Sequence, residues 1–180
     1  MNASNNNIGA LKKAAQVKLM IFDVDGILTD GSLHFGAEGE CLKTFNVLDG
    51  QGIKLLQDAG IITAIISARQ SAIVAKRATD LGITHLLQGI HDKKHAFEEL
   101  IAVLAVEPQH CGFIGDDVID LPVLSHVGFS ASVPNGHIEV RSRVDYVTQA
   151  AGGTGAAREV CDFILQAQGK YDQVLSKYLK

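Results

Sequence analysis

Four short stretches of the chain hold side chains suited to polar chemistry. They are Asp23-Val24-Asp25-Gly26, Ser67-Ala68-Arg69, Lys93-Lys94 and Gly115-Asp116-Asp117, with Asp120 just beyond the last. Asp23, Asp25 and Asp116, packed within a few ångströms, would repel one another unless a cation sat among them. Oxygen-only ligands suit a hard ion, and Mg²⁺ needs only one or two carboxylates together with waters and a phosphate. A carboxylate can also attack phosphorus and form an aspartyl-phosphate. A second Asp two residues on lies on the same side of an extended chain, where it can give and then take a proton. Gly26 suits a turn whose backbone approaches a phosphate closely. Asp117 has a plainer reading as a turn or helix cap, and Asp120 as the group that holds Lys93 or a loop in place. A lone DxD is common in loops; its coincidence with GDD, Ser and Lys is what carries weight.

Those residues act together only if the fold brings them together. Val17–Val24 is a near-continuous apolar run ending in acids, which predicts a strand buried on both faces of a parallel sheet. Gly31–Phe45, with Gly31, Gly36 and Gly39 between short apolar stretches, predicts a β-hairpin projecting from that strand's end. Further strands are predicted at Ile61–Ile66, Thr84–Leu87, Cys111–Ile114, Gly128–Ala131 and Val144–Val147. They alternate with helices over Asp49–Ala59, Gln70–Leu81, Lys93–Val106, Leu121–Ser125 and Ala156–Gln168, and a helical turn at Asn135–Arg141. That alternation predicts an α/β fold, a Rossmann-like parallel sheet with helices on both faces. Ligands of such sheets bind outside the carboxyl ends of the strands, and three of these strands end in the residues singled out above. Between Asp25 and Ser67 there is room only for the hairpin and one helix, so the fold is capless. Residues 17–168 are expected to form a single domain, with residues 1–16 a flexible N-terminal tail and residues 169–180 a C-terminal tail.

The 180 residues are 47% hydrophobic, enough for a sizeable core, and carry a net charge of −4. Nucleic-acid or anionic-membrane binding would want a basic face, so neither is expected. Aromatics are 6% and Trp is absent, which argues against a base-stacking platform. Cys41, Cys111 and Cys161 are far apart and form no CxxC, so a disulfide framework or structural zinc is not expected. The polar start and the lack of a long apolar run predict a soluble, cytoplasmic protein.

The order DxD, Ser after the second strand, Lys, then GDxxxD resembles the haloacid dehalogenase superfamily of phosphotransferases. Here it is carried by Asp23/Asp25, Ser67, Lys93 and Asp116/Asp120, and it extends over nearly the whole chain from Val17. The resemblance implies that Asp23 attacks phosphorus and that Asp25 protonates the leaving oxygen and then activates water. It implies that Ser67 and Lys93, rather than Lys94, bind the phosphoryl oxygens. Mg²⁺ would be held by the Asp23 carboxylate, the Asp25 main-chain carbonyl and Asp116, with Asp117 and Asp120 in support. Such a set has a rationale, because a cation, a Lys and a hydroxyl stabilise charge on a transferring phosphoryl group.

Within that superfamily, Thr44–Gly50 with Gly52-Ile53, Ser67-Ala68-Arg69 and Gly152–Val160 are similar to capless phosphatases of lipopolysaccharide sugar synthesis, which act on an acidic eight-carbon sugar phosphate. This implies a homotetramer in which four hairpins form a central barrel and a neighbouring subunit helps to close each site. The implied substrate contacts are Asp25, Asn46, Val47, Leu48, Asp49, Gly50, Lys54, Arg69, Arg77 and Lys93. Lys54 stands where the pattern has Arg, exchanging a fork for a point charge, and Ala68 where it more usually has Gly. Two other readings are a phosphatase of a nine-carbon sialic-type sugar phosphate and a catalytically silent partner-binding module. The second should have lost one of Asp23, Asp25, Lys93 or Asp116, and all four are present.

Overall fold

The computed structural model describes residues 3–179. Helix α1 (Ala3–Ala14) precedes β1 (Leu19–Phe22), and a two-stranded hairpin, β2 (His34–Gly36) and β3 (Gly39–Leu42), follows. Next come α2 (Val47–Asp58), β4 (Ile62–Ile66), α3 (Ala72–Leu81), β5 (His85–Leu87), α4 (Lys93–Leu104) and β6 (Cys111–Ile114). The chain ends with α5 (Leu121–Leu124), β7 (Phe129–Ser132), α6 (Ile138–Arg141), β8 (Tyr146–Val147), α7 (Ala156–Ala167) and α8 (Tyr171–Leu175). Six strands pair in parallel in the order β5-β4-β1-β6-β7-β8, while β2 and β3 pair antiparallel.

The central strand shows why the sheet forms. All four residues of β1 are buried, Met20 and Phe22 on one face and Leu19 and Ile21 on the other. The first face packs against α1, α2, α3 and α7, the second against α4, α5 and α6. Each such Leu, Ile or Phe contributes roughly 1.5–3 kcal/mol by leaving water. A strand covered by helices on both faces favours apolar residues at nearly every position. The apolar run read as Val17–Val24 is longer than the strand because Val17 and Val24, outside the ladder, are buried too.

Both termini differ from expectation. Residues 1–16 were predicted as a flexible tail, but Ala3–Ala14 is helical, and Ala10 and Ala14, one turn apart, are buried in the first core layer. Its apolar face consists of small alanines, too slight to stand out beside the polar start of the sequence. Gln168 secures the junction by donating from Nε2 to the Val17 carbonyl at 2.7 Å. The C-terminal segment is likewise not a tail. Helix α8 buries Val174 in the same layer, a 3-10 turn follows at Ser176–Tyr178, and Lys170 Nζ donates to the Ala59 carbonyl at 3.1 Å.

Candidate active site

Because β4, β1 and β6 are neighbours, the residues that follow them emerge side by side at one edge of the sheet. Ser67 follows β4, Asp23 follows β1, and Asp116 lies two residues past β6. With Asp25, Arg69, Lys93 and Asp117 they line an open-mouthed cavity of about 240 Å³, whose remaining walls include Leu33 and Ile119. That volume holds a phosphoryl group and part of what it is attached to.

Lys93 is the electrostatic centre. It opens α4 behind the N-cap Asp92, and its side chain is 1% exposed. Its Nζ donates to Asp23 Oδ1 at 2.8 Å and to Asp120 Oδ1 at 2.6 Å. Burial works against the ammonium, but the two carboxylates outweigh it and raise the Lys93 pKa, so the charge stays. Lys94 turns outward toward Glu98. Asp120 is fully committed: while Oδ1 holds Lys93, Oδ2 accepts the backbone N–H groups of Asp116 (3.0 Å) and Asp117 (3.2 Å). It therefore shapes the loop after β6. A Cβ on Gly115 would lie 2.5 Å from the Asp120 carboxyl carbon, so only glycine lets the acid fold back so closely. Asp117 caps the following 3-10 turn through the Val118 N–H.

Carboxylate oxygens of Asp23, Asp116 and Asp120 lie within 4.8 Å of one another. Among these three acids, Lys93 supplies one buried ammonium. Burial first, and the charge of Asp120 second, push Asp23 and Asp116 up to about 7. A divalent cation would balance the surplus, and with Asp120 engaged elsewhere the ligands on offer are Asp23 and Asp116. The donor set is all oxygen, as a hard ion requires.

Asp25 faces the other way, toward the hairpin. Its Oδ1 pairs with Lys43, and its Oδ2 lies 3.7 Å from Arg69 Nε. Gly26 turns the chain at φ +93°, and a Cβ there would strike Asp116 Oδ2 at 2.2 Å, so the acids of the β1 and β6 loops meet across that glycine. The Gly152-Gly153 stretch braces the turn from behind. Gly153 N donates to the Ile27 carbonyl at 2.8 Å, and a Cβ on Gly152 would lie 1.7 Å from the Gly26 carbonyl oxygen.

Several expected substrate contacts are not brought to this cavity. Asn46 caps α2 by accepting the Leu48 N–H at 2.7 Å. Val47 and Leu48 are exposed at the start of that helix, and Lys54 is exposed farther along it. Arg77 donates to the Asn46 carbonyl at 3.3 Å and lies over the Phe45 ring, against Gly50. Asp49 calls for a correction. It is buried away from the cavity, and its Oδ1 accepts the Arg158 N–H at 2.8 Å and its Oδ2 the Gly155 N–H at 3.3 Å, so it caps α7 instead of reaching a ligand there. Lys43, conversely, is a charged residue at the site that sequence reasoning missed. Its signal was slight: a lysine on the hairpin's returning limb, three residues after Glu40.

A six-stranded parallel sheet with Asp, Ser and Lys side chains gathered beyond the ends of β1, β4 and β6 has the architecture of a haloacid dehalogenase-like hydrolase. The family model described as haloacid dehalogenase-like hydrolase matches residues 83–160. The chain is 48% identical to the 3-deoxy-D-manno-octulosonate 8-phosphate phosphatase of Escherichia coli K12 over 163 residues, 91% of this chain and 87% of that one. The crystal structure of the same-named phosphatase from Moraxella catarrhalis, in complex with magnesium, phosphate and a KDO molecule, is 46% identical. It superposes with a TM-score of 0.91, covering 94% of this chain and 97% of that one. The cobalt-bound phosphatase of Haemophilus influenzae gives a TM-score of 0.88 at 43% identity, with 93% and 99% covered. This chain belongs to the 3-deoxy-D-manno-octulosonate 8-phosphate phosphatase family of haloacid dehalogenase-like hydrolases.

Proposed function

We propose that the protein is a magnesium-dependent phosphatase that hydrolyses 3-deoxy-D-manno-octulosonate 8-phosphate to the free sugar acid and phosphate, within lipopolysaccharide synthesis. The observation that carries this reading is the setting of Asp23, held by Lys93 and facing Asp116, in a chain nearly half identical to enzymes of that name.

Asp23 attacks phosphorus, and the sugar oxygen leaves with the proton held by Asp25. The aspartyl-phosphate is then cleaved by a water that returns a proton to Asp25, freeing phosphate and regenerating the Asp23 carboxylate. Lys93 and Ser67 hold the phosphoryl oxygens through both steps. Asp23 and Asp116 would hold the Mg²⁺, whose charge neutralises that developing on those oxygens. Arg69 Nε is buried with no hydrogen-bond partner, which suits the carboxylate of an acidic sugar at the cavity mouth.

The cavity is open to solvent on one side, and the described residues form no separate cap domain over it. We therefore read the working form as a homo-oligomer, a tetramer. The surfaces carrying Asn46, Val47, Leu48, Lys54 and Arg77 would then serve a neighbour's site. Three free cysteines suit a reducing, cytoplasmic setting. The test is phosphate release across a panel of sugar phosphates with and without Mg²⁺. The octulosonate ester should be turned over best, and only with the cation. Faster turnover of a nine-carbon sialic-type 9-phosphate would transfer the assignment to that substrate.

A further inference from the structure

The established parts of the site do not explain Lys43. Its side chain is 1% exposed although it sits on a hairpin whose other residues are mostly solvent-facing. A buried ammonium is costly unless paired, and this one has two carboxylates: Asp25, and Glu40 Oε1 at 3.1 Å. Glu40 accepts in turn from the hydroxyl of Ser71, the N-cap of α3. Two residues before Ser71, Arg69 approaches the second Asp25 oxygen at 3.7 Å and stacks on Phe35 of the hairpin, 5.5 Å from the ring centroid. These contacts, closed by the chain from Arg69 to Ser71, form a ring that runs from Asp25 through Lys43, Glu40 and Ser71 to Arg69 and back. An apolar side chain would fill the same space with no desolvation cost, so what the lysine adds is a fixed place for one carboxylate.

We propose that Lys43 is a positioning residue for Asp25, with Glu40 as the anchor that keeps Lys43 from swinging away. Resting on the reading of Asp25 as proton donor, it gives the hairpin a task in its own subunit's chemistry. Lys43 holds one Asp25 oxygen, which limits rotation of the carboxyl group and leaves the other edge of the site for the leaving oxygen.

The test compares kcat/KM for the octulosonate ester, whose alkoxide needs a proton to depart, with kcat/KM for p-nitrophenyl phosphate, whose phenolate does not. Lys43→Met should lose at least about tenfold on the sugar ester and several-fold less on the aryl ester, with Lys43→Arg recovering part of the loss. Glu40→Gln, on the hairpin, should show the same pattern more weakly, and it decides the matter by the same ratio if Lys43→Met does not fold. Equal losses on both esters, or none, would overturn the proposal provided that Asp25→Asn keeps the leaving-group pattern. If Asp25→Asn itself loses both esters equally, the proton-donor reading fails instead, and the role of Lys43 fails with it.

Discussion

Asp23 and Asp116 share a charge problem that sets how the site responds to pH. Burial and Asp120 raise both carboxyls from 3.8 to about 7, so below neutrality the cation-free site holds protons that an incoming Mg²⁺ must displace. Calorimetric titration should find Mg²⁺ binding at least about tenfold weaker at about pH 6 than at about pH 8, with proton release at the lower pH. Equal affinity at both would mean that the two acids are ionised throughout. The sign for folding follows from the same shift. The unfolded chain gives up these protons first, so without a cation the two groups make folding less favourable as pH rises from 3.8 toward 7. At this scale the sequence was legible wherever a residue directly follows a strand, as Asp23 and Ser67 do. Asp49 was misread because its partners, the N–H groups of Gly155 and Arg158, lie 106 and 109 residues away. Lys43 was missed because its burial depends on how the hairpin folds back over the β1 loop.

Between residue and molecule, the decisive unit is the turn after β1 and the glycine pair that supports it. Gly152, in the stretch Gly152–Val160 that carries part of the resemblance, packs on the backbone of Gly26 and donates to Asn135 Oδ1 at 3.1 Å. A methyl there would overlap the Gly26 carbonyl, so Gly152→Ala must push the Asp25–Gly26 turn away from Asp116. Overpacking of this kind costs roughly 1–3 kcal/mol. The melting temperature should fall by about 3–10 °C, and kcat should fall with it. A variant with wild-type stability and turnover would show that the turn does not depend on this support. Strand and helix alternation was readable because the central strands are dominated by apolar residues, at every position in Leu19–Phe22 and at all but Thr63 in Ile62–Ile66. Helix α1 was not, since Ala10 and Ala14 carry little apolar signal until α7 is packed against them.

For the whole molecule, the cavity opens on one side and the exposed hairpin carries Leu33, Phe35 and Leu42 into solvent. Apolar side chains grouped beside an unsealed site fit a surface covered by another subunit. Sedimentation at assay concentration should therefore show an oligomer, and Phe35→Asp together with Leu42→Asp should yield a smaller species with reduced turnover of the sugar ester. A monomeric wild-type enzyme at full activity would contradict this. In the sequence such an assembly is implied only by the resemblance, since spacing and periodicity speak to one chain's core and say little about what its surface meets.

The central claim is that Asp23 bonds covalently to phosphorus. Acid quenching of the enzyme during turnover of the octulosonate ester with Mg²⁺, followed by peptide mass spectrometry, tests it most directly. The phosphoryl group should be found on the peptide containing Asp23 and disappear in Asp23→Asn, which should also release no phosphate. Continued phosphate release by Asp23→Asn, or a phosphoryl group found on another residue, would contradict the account.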